Sequence, residues 1–170
     1  MKIEPYGDQV RLAILLGIIA GIVCAVVKLG WEIPFPPRTP VRDATNPPQQ
    51  ILQQLGFSYQ FTHLTYIYNQ NARPIISFMM HFGFSITFTV LYCVIAVFWS
   101  GVTLWQGAAY GLFIWFAYHE VILPAAGTIP PPWHQPIAEH FSEITGHMLC
   151  FWVAELVRHD LHYRITNRFV

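Results

Sequence analysis

Residues 12–27 read LAILLGIIAGIVCAVV, sixteen positions without a charge, and the apolar run continues to Ile33. About 20 residues at 1.5 Å rise cross a hydrocarbon core of about 30 Å, so residues 12–33 predict a transmembrane helix. A cleaved signal segment is the alternative. No small-x-small site follows the run, and Gly21, Ile22 and Val23 before Cys24 do not make a lipobox, so the first span is expected to be retained. Three further segments have the same character, at 75–99, 102–123 and 137–157. The chain therefore predicts an all-α, four-helix transmembrane bundle, one integral domain over residues 1–170. The lipid bilayer is its first partner.

Composition agrees. Of 170 residues, 54% are hydrophobic and 11% charged, against about a quarter charged in an ordinary soluble domain. The net charge is zero, which leaves no basic field for nucleic acid. Cys24, Cys93 and Cys150 each lie inside a different apolar segment. An odd count with none in a loop argues against a disulfide framework, and packing is the expected role.

The long connection, residues 34–74, opens with seven residues of which four are proline and continues with Asn46-Pro47-Pro48. Proline fixes its own φ and extends its predecessor, so a stiff, proline-rich cap is expected here. A short helix is predicted over 48–56, with proline at its start and Gly56 past its end. The aromatic stretch 57–68 is expected to lie as a lid over the bundle. Ser100-Gly101 reads as a tight turn, and residues 124–136 as a second stiff connection. Lys2, Arg11, Arg158, Arg164 and Arg168 fall on one side; Arg38, Arg42, Arg73 and Lys28 on the other. The positive-inside tendency then predicts cytoplasmic termini and an extracytoplasmic cap.

Successive spans alternate in direction. The end of the first, the start of the second, the end of the third and the start of the fourth thus share one face. Those places hold Lys28, Glu32, His81, His119, Glu120, Glu139, His140, Glu143 and His147. Ionisable groups at membrane depth are costly and mark pathways, sites or paired networks. Glu139, Glu143 and His147 recur every four residues on one helical face. The cluster expected to act together is Lys28, Glu32, His81, His119, Glu139, Glu143 and His147.

Three readings stay open. The cluster handles protons or a small ion, or senses pH, because histidine titrates near neutrality beside carboxylates that tune it. Alternatively it only locks the helices of a structural or accessory subunit. A third reading is a divalent metal on His81, His119, Glu143 and His147, although no HExxH, no CxxC and no close histidine pair on one helix supports it. Haem stays open in any bundle with inward histidines, but histidines at one level suit a small ion better. No catalytic signature appears, so enzymatic activity is not expected. Gly17 and Gly21 on the first span, and Gly107 and Gly111 on the third, have the spacing that lets helices approach closely. They serve packing within the chain or contacts in a homo-oligomer or larger membrane complex.

Several stretches resemble the YagU-like family of bacterial inner-membrane proteins. They are KLGWEIPFPPRTP at 28–40, LWQG at 104–107, SEITGH at 142–147, and the tail around Arg158, Asp160, Leu161, Arg164, Ile165 and Thr166. His81 followed by Ser85, and His119 five residues before Pro124, fit the same pattern. Glu120, His134 and His140 fall outside it. The resemblance runs through all four spans and implies a multi-pass inner-membrane helical protein whose family is a domain of unknown function.

Overall fold

Alternating stripes along the first helix determine how the rest assembles. In the computed structural model, which describes residues 6–167, α1 (Tyr6–Glu32) buries Leu16, Ala20, Cys24 and Lys28, and beside them Ala13, Gly17, Gly21 and Ala25. Both rows repeat every four residues, so each forms one line along the helix. Ile14, Leu15, Ile18, Ile19, Ile22 and Val26 face outward. Lys2 and Arg168, counted among the cations above, lie outside the described residues.

The small residues set the spacing. A Cβ on Gly17 would sit 2.5 Å from the Val90 Cα, and one on Gly21 would sit 2.6 Å from the Ile86 Cα. Thus α1 lies directly against α5 (Ile75–Phe98). On its other side α1 packs against α8 (Ile137–Thr166), and α8 packs against α6 (Ala108–Trp115). There Gly111 abuts the His147 carbonyl, and Gly107 comes within Cβ reach, 2.6 Å, of the Phe151 carbonyl. All four glycines are therefore used inside this chain. Rings of Phe84, Phe88 and Tyr118, and of Tyr92 and Tyr110, close the circle between α5 and the third segment.

The fold is helical with one small sheet, and α1 and α5 are the two helices long and apolar enough to cross a membrane. The third segment departs from the continuous span expected over 102–123. A 3-10 turn at Ser100–Thr103 leads into a left-handed stretch, Trp105, Gln106 and Gly107, before α6 begins. A π-helical turn then covers Phe116–Ile122, followed by the short α7 (Leu123–Ala125). Pro124 is the physical reason: without an N–H it cannot close the α-turn on Glu120, and the ladder widens ahead of it. The fourth helix also runs past 157 to Thr166, ended by Asn167 in the left-handed conformation.

The 34–74 connection is more structured than a stiff loop. Thr39 caps α2 (Pro40–Asp43), Asn46 makes a capping box on α3 (Pro47–Gln54), and Ser58 caps α4 (Tyr59–Thr62). A hairpin follows, β1 (Thr65–Tyr68) antiparallel to β2 (Asn71–Pro74), turning through Asn69 and Gln70 at positive φ. Gln49 Nε2 donates to the Thr62 carbonyl at 3.1 Å, and the Asn46 amide bonds Ser77 at 2.8 Å, anchoring the cap to α5. The lid is not the aromatic stretch. Phe57, Tyr59, Phe61, Tyr66 and Tyr68 are exposed, whereas residues between Arg38 and Ile51 line the cavity described below.

The cysteines require another correction. Cys24 of α1 and Cys150 of α8 are joined by a disulfide, with their Cα atoms 4.6 Å apart, and Cys93 alone is free and buried. The close approach of the two helices brings the thiols within bridging range, information that an odd cysteine count does not carry.

Candidate functional site

At the capped end, the last turns of α1, the first turns of α5, the π-helical turn and the first half of α8 surround a cavity of about 270 Å³. Lys28, Glu32, His81, His119, Glu143 and His147 all line it. So do Arg38 and Asp43 of the cap, and apolar groups including Ile51, Phe84, Leu123 and Phe151.

Glu143 is the hub. It is 6% exposed, and four basic side chains converge on it. Arg38 Nη1 donates to its Oε1 at 3.2 Å. Around Oε2 lie Lys28 Nζ at 3.1 Å, His147 Nδ1 at 3.5 Å and His119 Nε2 at 3.6 Å. Despite these neighbours, Oε2 accepts no hydrogen bond of good geometry. A buried charge is normally both paired and hydrogen-bonded; Glu120 and Glu139 also have one oxygen in this condition, and of the three only Glu143 borders the cavity.

Lys28, 8% exposed, is shared between Glu143 and Glu32, whose Oε1 lies 2.5 Å from the ammonium. Arg38 is likewise shared, with Asp43 Oδ1 at 3.0 Å. Burial opposes the Arg38 charge, but the carboxylates of Glu143 and Asp43 outweigh it and hold its pKa above the ordinary value. The lining thus carries two fixed cations, Lys28 and Arg38, against three carboxylates, Glu32, Asp43 and Glu143.

Backbone carbonyls fix two histidines. His147 Nδ1 lies 2.7 Å from the Glu143 carbonyl, which can only accept, so Nδ1 carries the hydrogen and Nε2 has the free lone pair. His81 Nε2 lies 3.0 Å from the Ala25 carbonyl, exposed where α1 meets α5, so its Nδ1 is the free nitrogen. His119 and His147 stand edge to face, ring centroids 5.1 Å apart. A ligand atom from each of His119, Glu143 and His147 falls within 4.8 Å of the other two. His81 is outside that group.

Three of the nine ionisable residues expected at this level separate from the rest. Glu139 is buried but pairs with Arg42 of α2 and does not line the cavity. Glu120 and His140 pair with each other at 2.9 Å, tying the π-helical turn to α8. The indole of Trp31 donates to the Ser142 carbonyl at 3.1 Å, and the Ser142 hydroxyl donates to the Phe35 carbonyl at 2.5 Å. These bonds pin the end of α1 and the start of the cap to α8.

Sequence reasoning missed Arg38 and Asp43 as site residues, having counted Arg38 only as a loop cation. Nothing local marks them, since Arg38 reaches Glu143 across 105 positions and Asp43 joins through Arg38. A second buried network near the other end was missed too. Glu155 accepts from Tyr92 at 2.9 Å and from Arg158 at 2.6 and 2.8 Å. The i,i+3 spacing of Glu155 and Arg158 was a usable signal.

Residues 22–156, spanning every charged group of the cavity, match the family described as protein of unknown function (DUF1440). The chain belongs to this family. It is also similar to the inner membrane protein YagU of Escherichia coli (strain K12), 36% identical over 185 residues that cover 96% of this chain and 90% of that one. No solved structure matches the chain.

Proposed function

We propose that the chain is a single integral domain of the bacterial inner membrane, crossing it four times, with cytoplasmic termini and the cap outside. Its capped cavity takes up protons or a small cation from the outer side. The four-span reading draws support from the outward faces of the helices. Beyond the α1 residues named above, Leu91 of α5, Phe113 of α6, Val121 of the π-helical turn and Leu156 of α8 are exposed apolar groups that a bilayer would cover. The relative from Escherichia coli is named as an inner membrane protein. The cation excess of Lys2, Arg11, Arg158, Arg164 and Arg168 favours cytoplasmic termini.

One observation carries the ion reading: the Glu143 Oε2, buried and without a hydrogen bond, faces a cavity whose charged lining has one more carboxylate than cation. The groups facing it are Lys28 and Glu32 from α1, Arg38 and Asp43 from the cap, His81 from α5, His119 from the π-helical turn and His147 from α8. An added proton or cation balances that charge. Below the cavity Phe151, Tyr92 and Tyr110 pack in the core, and the Tyr92 hydroxyl turns away to the separate Glu155–Arg158 network. The test is proton uptake by purified protein in liposomes after an external acid jump. Wild type should take up protons and Glu143→Gln should not; equal uptake by both refutes the reading.

A structural or accessory role is favoured by a different observation, that Lys28, Arg38 and Arg42 each already hold a carboxylate. That reading expects Glu143→Gln to lower stability while the wild type shows no uptake.

A further inference from the structure

We propose that the cavity's cation is a divalent transition-metal ion, held by His119, Glu143 and His147, and that the Lys28 ammonium is a tethered cation that yields to it. This rests on the cation reading above and names its ligand. Two imidazoles and a carboxylate beside open space are the donor set of a three-ligand zinc site that leaves a position free. In a tetrahedral site with bonds of about 2.0–2.2 Å, donor atoms stand about 3.4 Å apart. The present limit of 4.8 Å therefore calls for closure of at most about 1.4 Å at any pair. His119 Nε2, at 3.6 Å from Glu143 Oε2, is already near that spacing, whereas His147 faces Oε2 with Nδ1 at 3.5 Å and its ring must turn to bring Nε2 to an ion.

Three independent features fit. The His147 Nδ1–H is held by the Glu143 carbonyl at 2.7 Å, leaving Nε2 as the lone-pair nitrogen. Metal-bound histidines characteristically have the second nitrogen anchored in this way. The Glu143 Oε2 is buried and accepts no hydrogen bond of good geometry, so the contact that coordination must displace is the Lys28 ion pair. Finally, Lys28 has somewhere to go: its nitrogen is 3.1 Å from Glu143 but 2.5 Å from Glu32, and it can leave the first without losing the second. Lys28 thereby keeps the apo cavity from holding an unbalanced carboxylate, and it sets a threshold against weakly binding cations.

The ligand set excludes His81, which stands outside the three-residue group. That exclusion gives the test its resolution. Purified protein in lipid nanodiscs is titrated with Zn²⁺ by calorimetry and with Co²⁺ by visible absorption. Wild type should bind one ion per chain, with the visible bands of a low-coordinate Co²⁺ site. His119→Gln and His147→Gln should each lose saturable binding, whereas His81→Gln should keep it. Lys28→Met should bind about tenfold tighter or better, because a like charge has gone from beside the site. Should that variant fail to fold, Lys28→Gln retains a hydrogen bond to Glu32 and carries the same expectation. Absence of saturable binding in both wild type and the Lys28 variant overturns the assignment. Equal loss in His81→Gln overturns it as well. Proton uptake in liposomes without metal binding overturns the metal alone and leaves the broader cation reading standing; loss of both removes the two together.

Discussion

Of the three buried carboxylates of α8, Glu143 and Glu155, twelve positions apart, stand in opposite conditions. Glu155 is complete. Arg158 grips it with two nitrogens, Tyr92 donates to Oε2, and Phe151 and Tyr110 pack against the Tyr92 ring. Glu143 has more basic neighbours, four against one, yet one oxygen remains without a hydrogen bond and the group borders a cavity. Number of charges is therefore a poor guide to satisfaction. Bidentate geometry from one guanidinium accomplishes what four competing partners do not. The Glu155 network belongs to stability, and the Glu143 network keeps capacity for something else.

That contrast can be broken most decisively at Glu155. Glu155→Gln leaves Arg158 buried with no counter-charge and should cost about 3–5 kcal/mol, read as a large fall in the thermal midpoint in detergent. Glu143→Gln should cost about 1–2 kcal/mol, because Lys28 keeps Glu32 and Arg38 keeps Asp43. Equal losses in the same melting experiment would erase the distinction between the two ends.

Next in size is Gly17→Leu, which drives a side chain into the Val90 backbone and should cost about 1–3 kcal/mol while leaving the capped cavity's residues in place. Retained cation uptake in that variant, alongside its lowered midpoint, would sharpen the separation between packing and site. Tyr92→Phe removes one donor from a carboxylate that keeps two others and should cost about 1 kcal/mol. The smallest energetic consequence attaches to thiol counting. Unfolded without reductant, the chain should accept one maleimide, at Cys93, and after reduction three.

Much of the cluster was legible because helix direction alternates. Lys28, His81, His119 and Glu143 share one level through span boundaries alone, and the boundaries of α1 and α5 follow from uncharged apolar runs. Arg38 was not legible as a partner, since the cap folds it back across a hundred residues and only the packed structure supplies that pairing. The π-helical turn was half legible: Pro124 announces a disrupted ladder, but not whether it kinks, ends or widens. His81 illustrates the remaining gap. Its level was readable, yet the carbonyl that claims its Nε2 comes from Ala25, where a neighbouring helix approaches closely enough to offer main chain.

The bridge between Cys24 and Cys150 bears on motion. Cys150 lines the cavity, and its partner Cys24 lies on α1, packed directly against α8. Parting α1 from α8 at this depth is forbidden by a covalent strut. Reduction would remove the strut and leave only helix packing to keep the two helices together.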